Sequence, residues 1–227
     1  MIQAVIFDLN GVLVTTDLCH FHAWELMAKE HGIPFDSDVY ARIRGLSRMD
    51  GIAVILEKSK RHYTDGEKLA LATRKNDLYL GMIAGMNEEA LLPGAIDAVM
   101  GLREIGIRTA VSSSSQNARQ ILCQLGISDL FDAVVDGNQV GNLKPDPEAF
   151  LLTARKLKID PSHCLVIEDA PEGVKAAHSG GMRCLAVGGA AHDPAADFRA
   201  DTLAQTDLPA LVRQENIRYR ILTPVES

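Results

Sequence analysis

Short apolar runs alternate with helix-periodic stretches along most of this chain. Ile2-Gln3-Ala4-Val5-Ile6-Phe7 ends at Asp8 and a turn at Gly11, which predicts a buried strand that delivers a carboxylate at its C-terminal end. Ile107-Arg108-Thr109-Ala110-Val111 runs into a serine cluster and a helix from about Asn117 to Leu125. Ala133-Val134-Val135 precedes a loop and a helix from about Pro147 to Leu157. Cys164-Leu165-Val166-Ile167 leads to Glu168-Asp169 and a helix from about Pro171 to Ser179, and Arg183-Cys184-Leu185-Ala186-Val187 closes on Gly188-Gly189. Strands recurring with helices between them predict right-handed βαβ units, and so an α/β fold with a doubly wound parallel sheet.

Residues 15–87 break that rhythm. Phe21 to Ala28 and Gly66 to Tyr79 carry helical periodicity, and no stretch between Thr15 and Met86 alternates as a strand does. The reading is an all-helical subdomain over 15–87 inserted into an α/β core made of 1–14 and 88–227, with Pro93-Gly94 marking the return to the core. The tail from about Arg213 carries little signal.

Composition narrows the function classes. Of 227 residues, 47% are hydrophobic and 23% charged, an ordinary globular balance. The net charge of −7 argues against a nucleic-acid partner, which needs a broad basic surface, but not against one small phosphorylated ligand. No apolar run approaches the ~20 residues that span a bilayer, so no membrane partner is expected. The opening stretch meets Asp8 and has no basic n-region, unlike a secretory leader. Cys19, Cys123, Cys164 and Cys184 form no CxxC pair and read as buried small hydrophobes in a reducing compartment. A cytoplasmic monomer is the expectation.

Four polar signals fall at the ends of the predicted strands: Asp8-Leu9-Asn10-Gly11, Ser112-Ser113-Ser114-Ser115, Lys144-Pro145-Asp146-Pro147 and Glu168-Asp169. Each alone has a plain reading as a helix cap or a turn. Together they suit phosphoryl transfer. A strand-end aspartate can attack phosphorus and form an aspartyl-phosphate, splitting one hard step into two. Carboxylates around a phosphate need a divalent cation among them, and oxygen donors favour Mg²⁺. Asp8 and Asp169 are the expected direct ligands, with Glu168 nearby or acting through water. Ser113, the Ser114 backbone N–H and Lys144 are expected to neutralise the phosphoryl oxygens.

With these motifs in this order, residues 2–205 resemble the haloacid dehalogenase superfamily, whose Rossmann-like core carries such an inserted helical cap. His20-Phe21-His22-Ala23-Trp24, Arg44-Gly45-Leu46-Ser47-Arg48 and Arg74-Lys75-Asn76-Asp77, with Ser113-Ser114-Ser115-Gln116-Asn117, are most similar to its β-phosphoglucomutase-like group. The resemblance implies interconversion of β-D-glucose 1-phosphate and glucose 6-phosphate through a bisphosphate. It implies that Asp8 carries the transferring phosphoryl group and that the Asn10 backbone carbonyl joins Asp8 and Asp169 on Mg²⁺. Arg48, Ser115 and Asn117 would hold the second phosphate, while Thr16, His20, Trp24, Gly45, Ser47 and Lys75 would line the sugar side. The cap would exclude water by closing about hinges near Val14-Thr15 and Asn87-Glu88. On the residues alone, Trp24 reads equally as a core aromatic of the helical insert, while Arg48 can be read as a solvated helix charge although its neighbours Gly45 and Ser47 favour a ligand role.

Asn10 departs from the group, which carries Asp there as general acid and base. An amide cannot shuttle that proton, and general acid–base help is typically worth ~10²–10⁴-fold. Gln116 for Lys, Gly51 for Ser, Met49 for Glu and Arg44 for Lys are smaller departures that bear on which sugar phosphate is taken. A phosphatase of the same superfamily, a dehalogenase (against which the Glu168-Asp169 pair weighs) and a non-catalytic phosphosugar sensor are the competing readings.

Overall fold

The computed structural model describes residues 1–59 and 61–222. Strand β1 (Ala4–Phe7) is followed by four helices, α1 (Asp17–Glu30), α2 (Ser37–Ile43), α3 (Arg48–Leu56) and α4 (Asp65–Ile83). An alternating series follows: α5 (Ala95–Glu104), β2 (Arg108–Ser112), α6 (Ala118–Gln124), β3 (Ala133–Val135), α7 (Glu148–Leu157), β4 (Cys164–Glu168), α8 (Pro171–Ser179), β5 (Arg183–Ala186), β6 (Phe198–Arg199) and α9 (Leu208–Leu222). The chain divides into two compact units, one of residues 1–15 with 87–227 and the other of residues 16–86.

In the first unit all six strands are parallel, in the order β3-β2-β1-β4-β5-β6. This is the doubly wound order, in which the crevice for ligands opens where the winding reverses, at the carboxyl ends of β1 and β4. β1 is buried along its whole length because both faces of a sheet wound in this way are covered, so its sequence is continuously apolar instead of alternating. Ala4, Ile6, Cys164, Val166, Cys184 and Ala186 pack on one side with Phe150 and Ala154 of α7 and Val174 and Ala177 of α8. Val5, Phe7, Leu165 and Ile167, on the opposite face, are equally buried.

The second unit is all helical and has its own core, in which Trp24, Met27 and Ala28 of α1 pack with Ile43, Ile52, Ile55, Leu71 and Ala72. Its helices start where side chains can satisfy free N–H groups. Asp36 caps α2, Ser47 caps α3, and Thr64 with Glu67 forms a reciprocal capping box on α4. Gly51 has a packing reason: a Cβ there would stand 3.1 Å from the Trp24 ring, tighter than ordinary contact.

Two features differ from the sequence expectations. The tail expected to carry little signal forms α9, whose Leu208 and Val212 are buried and which packs on α5. Asn216 of α9 pins Ile2 by accepting its N–H at 2.5 Å and donating to its carbonyl at 2.9 Å. The cysteines are not uniformly buried either. Cys164 and Cys184 are, but Cys19 is half-buried and Cys123 exposed, because it lies on the outward side of α6.

Candidate active site

Parallel pairing fixes the centre of the first unit. Phe7 stands opposite Ile167, and the Asp8 N–H donates to the Ile167 carbonyl at 3.0 Å, so Asp8 and Glu168-Asp169 leave the sheet side by side. The Lys144 ammonium reaches in from the loop before α7. It lies 2.5 Å from Asp8 Oδ1 and also donates to Glu168 Oε1. Lys144 is followed by a cis peptide bond to Pro145.

Glu168 is 1% exposed, and burial pushes its carboxyl up to about 7 despite the neighbouring ammonium. Burial works against the Lys144 charge too, but Asp8 and Glu168 together hold it protonated above its ordinary value. The other Glu168 oxygen, Oε2, accepts the backbone N–H groups of Asp169 at 3.0 Å and Ala170 at 3.2 Å. Glu168 therefore anchors Lys144 with one oxygen and the entry to α8 with the other. A Cβ on Gly173 would fall on this carboxylate, which is why the first turn of α8 carries a glycine there.

Asp169 lies against main chain. Gly11, at φ +84°, passes so close that a Cβ on it would fall on the Asp169 carboxylate, and Gly188 flanks the same side chain. Among the described residues no three His, Cys, Asp or Glu side chains form a ready-made metal cage. The donors that chain geometry gathers are instead carboxylates of Asp8 and Asp169 beside the main chain of Asn10-Gly11. An all-oxygen set of this size fits Mg²⁺, which keeps several waters and a substrate phosphate as ligands.

The serine cluster continues from β2 in the same unit. Ser113 is buried, Ser115 half-buried and Ser114 exposed. The hydroxyls of Ser113 and Ser115 accept the N–H groups of Ser115 and Asn117, at 3.1 and 3.2 Å, and shape the loop that ends at Asn117 before α6. A brace from the loop after β3 holds it, and nothing in the serine run itself signals this brace. The Gly137 N–H donates to the Ser115 carbonyl at 3.1 Å, and Asn138 Nδ2 donates to the Gln116 carbonyl at 2.8 Å. Buried Asp136 fixes the brace by accepting from the Asn138 N–H and from Arg119 Nε, both at 2.9 Å.

The helical unit assembles a second group. His20 Nδ1 lies 2.8 Å from Lys75 Nζ, and the amine stands 4.9 Å from the centre of the Trp24 ring. Lys75 is 3% exposed, and burial, with Arg48 nearby, lowers it to about 7. His20 falls to about 3, by burial first and then by the charges of Lys75 and Arg48. Thr16 is buried at the start of α1, where its carbonyl accepts the His20 N–H at 2.9 Å. Trp24 belongs to the insert's core and still turns a face to Lys75. The Ser47 hydroxyl accepts the Asp50 N–H as the cap of α3, leaving Arg48, half-buried, as the first residue of that helix. Gly45, at φ +78°, makes the turn between α2 and α3 and is exposed. Tyr79, one turn after Lys75 and fully buried, is a member of this group that the sequence reading passed over.

A doubly wound parallel sheet with an aspartate at the end of its central strand, a lysine from a loop and an acidic pair on the neighbouring strand places a charged site at the switch point, where α/β proteins of this class bind ligands. Residues 2–181 match the family model described as haloacid dehalogenase-like hydrolase, and the chain belongs to that family. It is 38% identical over 221 residues to the β-phosphoglucomutase of Bacillus subtilis, covering 96% of this chain and 97% of that protein. The phosphorylated carbohydrates phosphatase of Thermotoga maritima is 32% identical, with 79% and 82% covered. Among solved structures, the β-phosphoglucomutase of Clostridium difficile superposes with a TM-score of 0.86 at 34% identity, over 98% of this chain and 100% of that one. An Asp-to-Asn mutant of CbbY from Rhodobacter sphaeroides, in complex with xylulose-1,5-bisphosphate, follows at a TM-score of 0.79 and 25% identity, over 90% and 96%.

Proposed function

We propose that this chain is a Mg²⁺-dependent phosphosugar mutase of the β-phosphoglucomutase type, slowed by Asn10. The observation that carries this reading is Asp8 at the end of the central strand, 2.5 Å from a lysine ammonium shared with Glu168. Asp8 Oδ attacks the phosphorus of a sugar bisphosphate, forming the aspartyl-phosphate as the P–O bond to the sugar breaks. An incoming β-glucose 1-phosphate then takes the phosphoryl group from Asp8 on its free hydroxyl, regenerating the bisphosphate, which returns its other phosphoryl group to Asp8 and leaves as glucose 6-phosphate. Lys144 and the Ser113–Ser114 segment neutralise charge on the phosphoryl oxygens. Asp8, Asp169 and the Asn10 carbonyl would hold Mg²⁺, which supplies Lewis-acid neutralisation of the carboxylates and phosphate. In the helical unit, His20, Lys75 and Trp24 take the sugar and Arg48 takes a phosphate; in the core unit, Ser115 and Asn117 are the corresponding phosphate-binding candidates.

Asn10 lies where this chemistry requires a proton carrier, to protonate the leaving sugar oxygen and deprotonate the incoming hydroxyl. Restoring it by Asn10→Asp is expected to raise the rate of conversion of β-glucose 1-phosphate, with a bisphosphate activator, by ~10²–10⁴-fold. An unchanged rate refutes the reading. The similarity to a carbohydrate phosphatase favours one alternative, hydrolysis of a small sugar phosphate. In that case the same variant releases inorganic phosphate in place of glucose 6-phosphate.

A further inference from the structure

Lys75 has no carboxylate partner among the described residues. Its ammonium lies between two ring faces, 4.9 Å from the Trp24 centroid and 4.8 Å from that of Tyr79, with His20 Nδ1 at 2.8 Å. Tyr79 touches both members of the polar pair, because its ring also stacks on that of His20, at 4.2 Å between centroids and 24° between planes. On α4, Lys75 and Tyr79 are four residues apart and share a face. As an ammonium Lys75 has no acceptor, so below about pH 7 it donates to Nδ1 in this contact, and a neutral imidazole must then carry its proton on Nε2.

We propose that Tyr79 is a positioning residue that fixes the Nε2–H form of His20 and centres the Lys75 ammonium, so that the helical unit presents two aimed donors to an anionic sugar. This rests on the sugar-phosphate reading given above. The ring face is the working part. It supplies the stack that holds the imidazole plane and the quadrupole that attracts the cation, and an aliphatic side chain of similar bulk supplies neither. The Arg48 guanidinium is the other charge that bears on the pair, together with the Cys19 thiol on α1. With no internal carboxylate beside it, the buried ammonium is charged below about pH 7 and its charge is directed to the ligand.

The test uses the full-length protein labelled with ¹⁵N at histidine, as wild type, Tyr79→Phe and Tyr79→Leu. Long-range ¹H–¹⁵N spectra at pH 6, where Lys75 is charged and His20 neutral, read the His20 tautomer, and calorimetric titration with glucose 6-phosphate reads affinity. Wild type and Tyr79→Phe are expected to show the Nε2–H pattern alone and affinities within twofold of each other. Tyr79→Leu is expected to show mixed tautomers and to bind about tenfold more weakly, the size of one partly desolvated cation–π contact. If leucine disrupts the helical unit, Tyr79→Met gives the same two readouts. A leucine or methionine variant with an unchanged tautomer and affinity overturns the proposal, as does a phenylalanine variant impaired as much as leucine. The tautomer is read without ligand, so a wild type that binds no sugar phosphate refutes the functional reading and leaves the tautomer result to judge Tyr79.

Discussion

Replacing Lys75 by methionine should make the protein more stable while removing its grip on sugar phosphate. Lys75 is 3% exposed, and its amine is lowered from the ordinary 10.5 to about 7, chiefly by burial. At about 1.4 kcal/mol per pH unit that gap amounts to ~5 kcal/mol against the folded state. Methionine fills a similar volume with no charge to desolvate, so Lys75→Met is expected to gain ~5 kcal/mol at pH 6. Below about 7 the lysine is protonated in both the folded and unfolded chain, and the whole penalty is present. Between about 7 and 10.5 the unfolded chain binds the extra proton, so wild-type stability rises with pH and the advantage of the variant shrinks toward zero. Urea unfolding of the two proteins side by side at pH 6, 8 and 10 measures this, and groups common to both cancel in the difference. A variant no more stable than wild type at pH 6, or an advantage that does not change with pH, refutes the reasoning.

Two further outcomes follow from the core unit. Gly11→Ala places a methyl group on the Asp169 carboxylate at a left-handed φ, so it should abolish Mg²⁺-dependent turnover in the Asn10→Asp background, read by the loss of magnesium activation in a rate titration. Asn138→Ala removes the donor to the Gln116 carbonyl and should cost about 1 kcal/mol of phosphate-loop order, seen as a fivefold weaker affinity for glucose 6-phosphate in calorimetry with Tm shifted by only a few degrees.

The parallel sheet was legible because each core strand is a short apolar run ended by a chemically distinctive residue. Asp8, Ser112 and Glu168 punctuate β1, β2 and β4 as plainly as a turn would. What was not legible depends on contacts across the chain. α9 buries only Leu208 and Val212 along fifteen residues, so its apolar stripe is too thin to stand out, and β6 is two residues long. The exposure of Cys123 depends on which side of α6 meets the sheet, which composition does not encode. The Asp136-Gly137-Asn138 brace works through main-chain carbonyls about twenty residues away, and carbonyls carry no sequence signature. Tyr79 reads as an ordinary core aromatic, and its partnership with His20 emerges only when α1 and α4 are packed together. Gly51, noted as a departure from the related group, proved to be a matter of room for Trp24.

The central strand also sets the order in which the newly made chain can fold. β1 precedes the other five strands of its sheet, yet its partners begin at Arg108 and Cys164, the second about 160 residues downstream. At ~5–20 residues per second, β1 waits roughly 8–30 s for its second neighbour. The helical unit of residues 16–86, whose hydrophobic core draws only on its own residues, is fully synthesised within that interval. Ala4–Phe7 is an unpaired apolar strand until β2 is made and keeps one open edge until β4 follows, an exposure that a chaperone at the ribosome would cover.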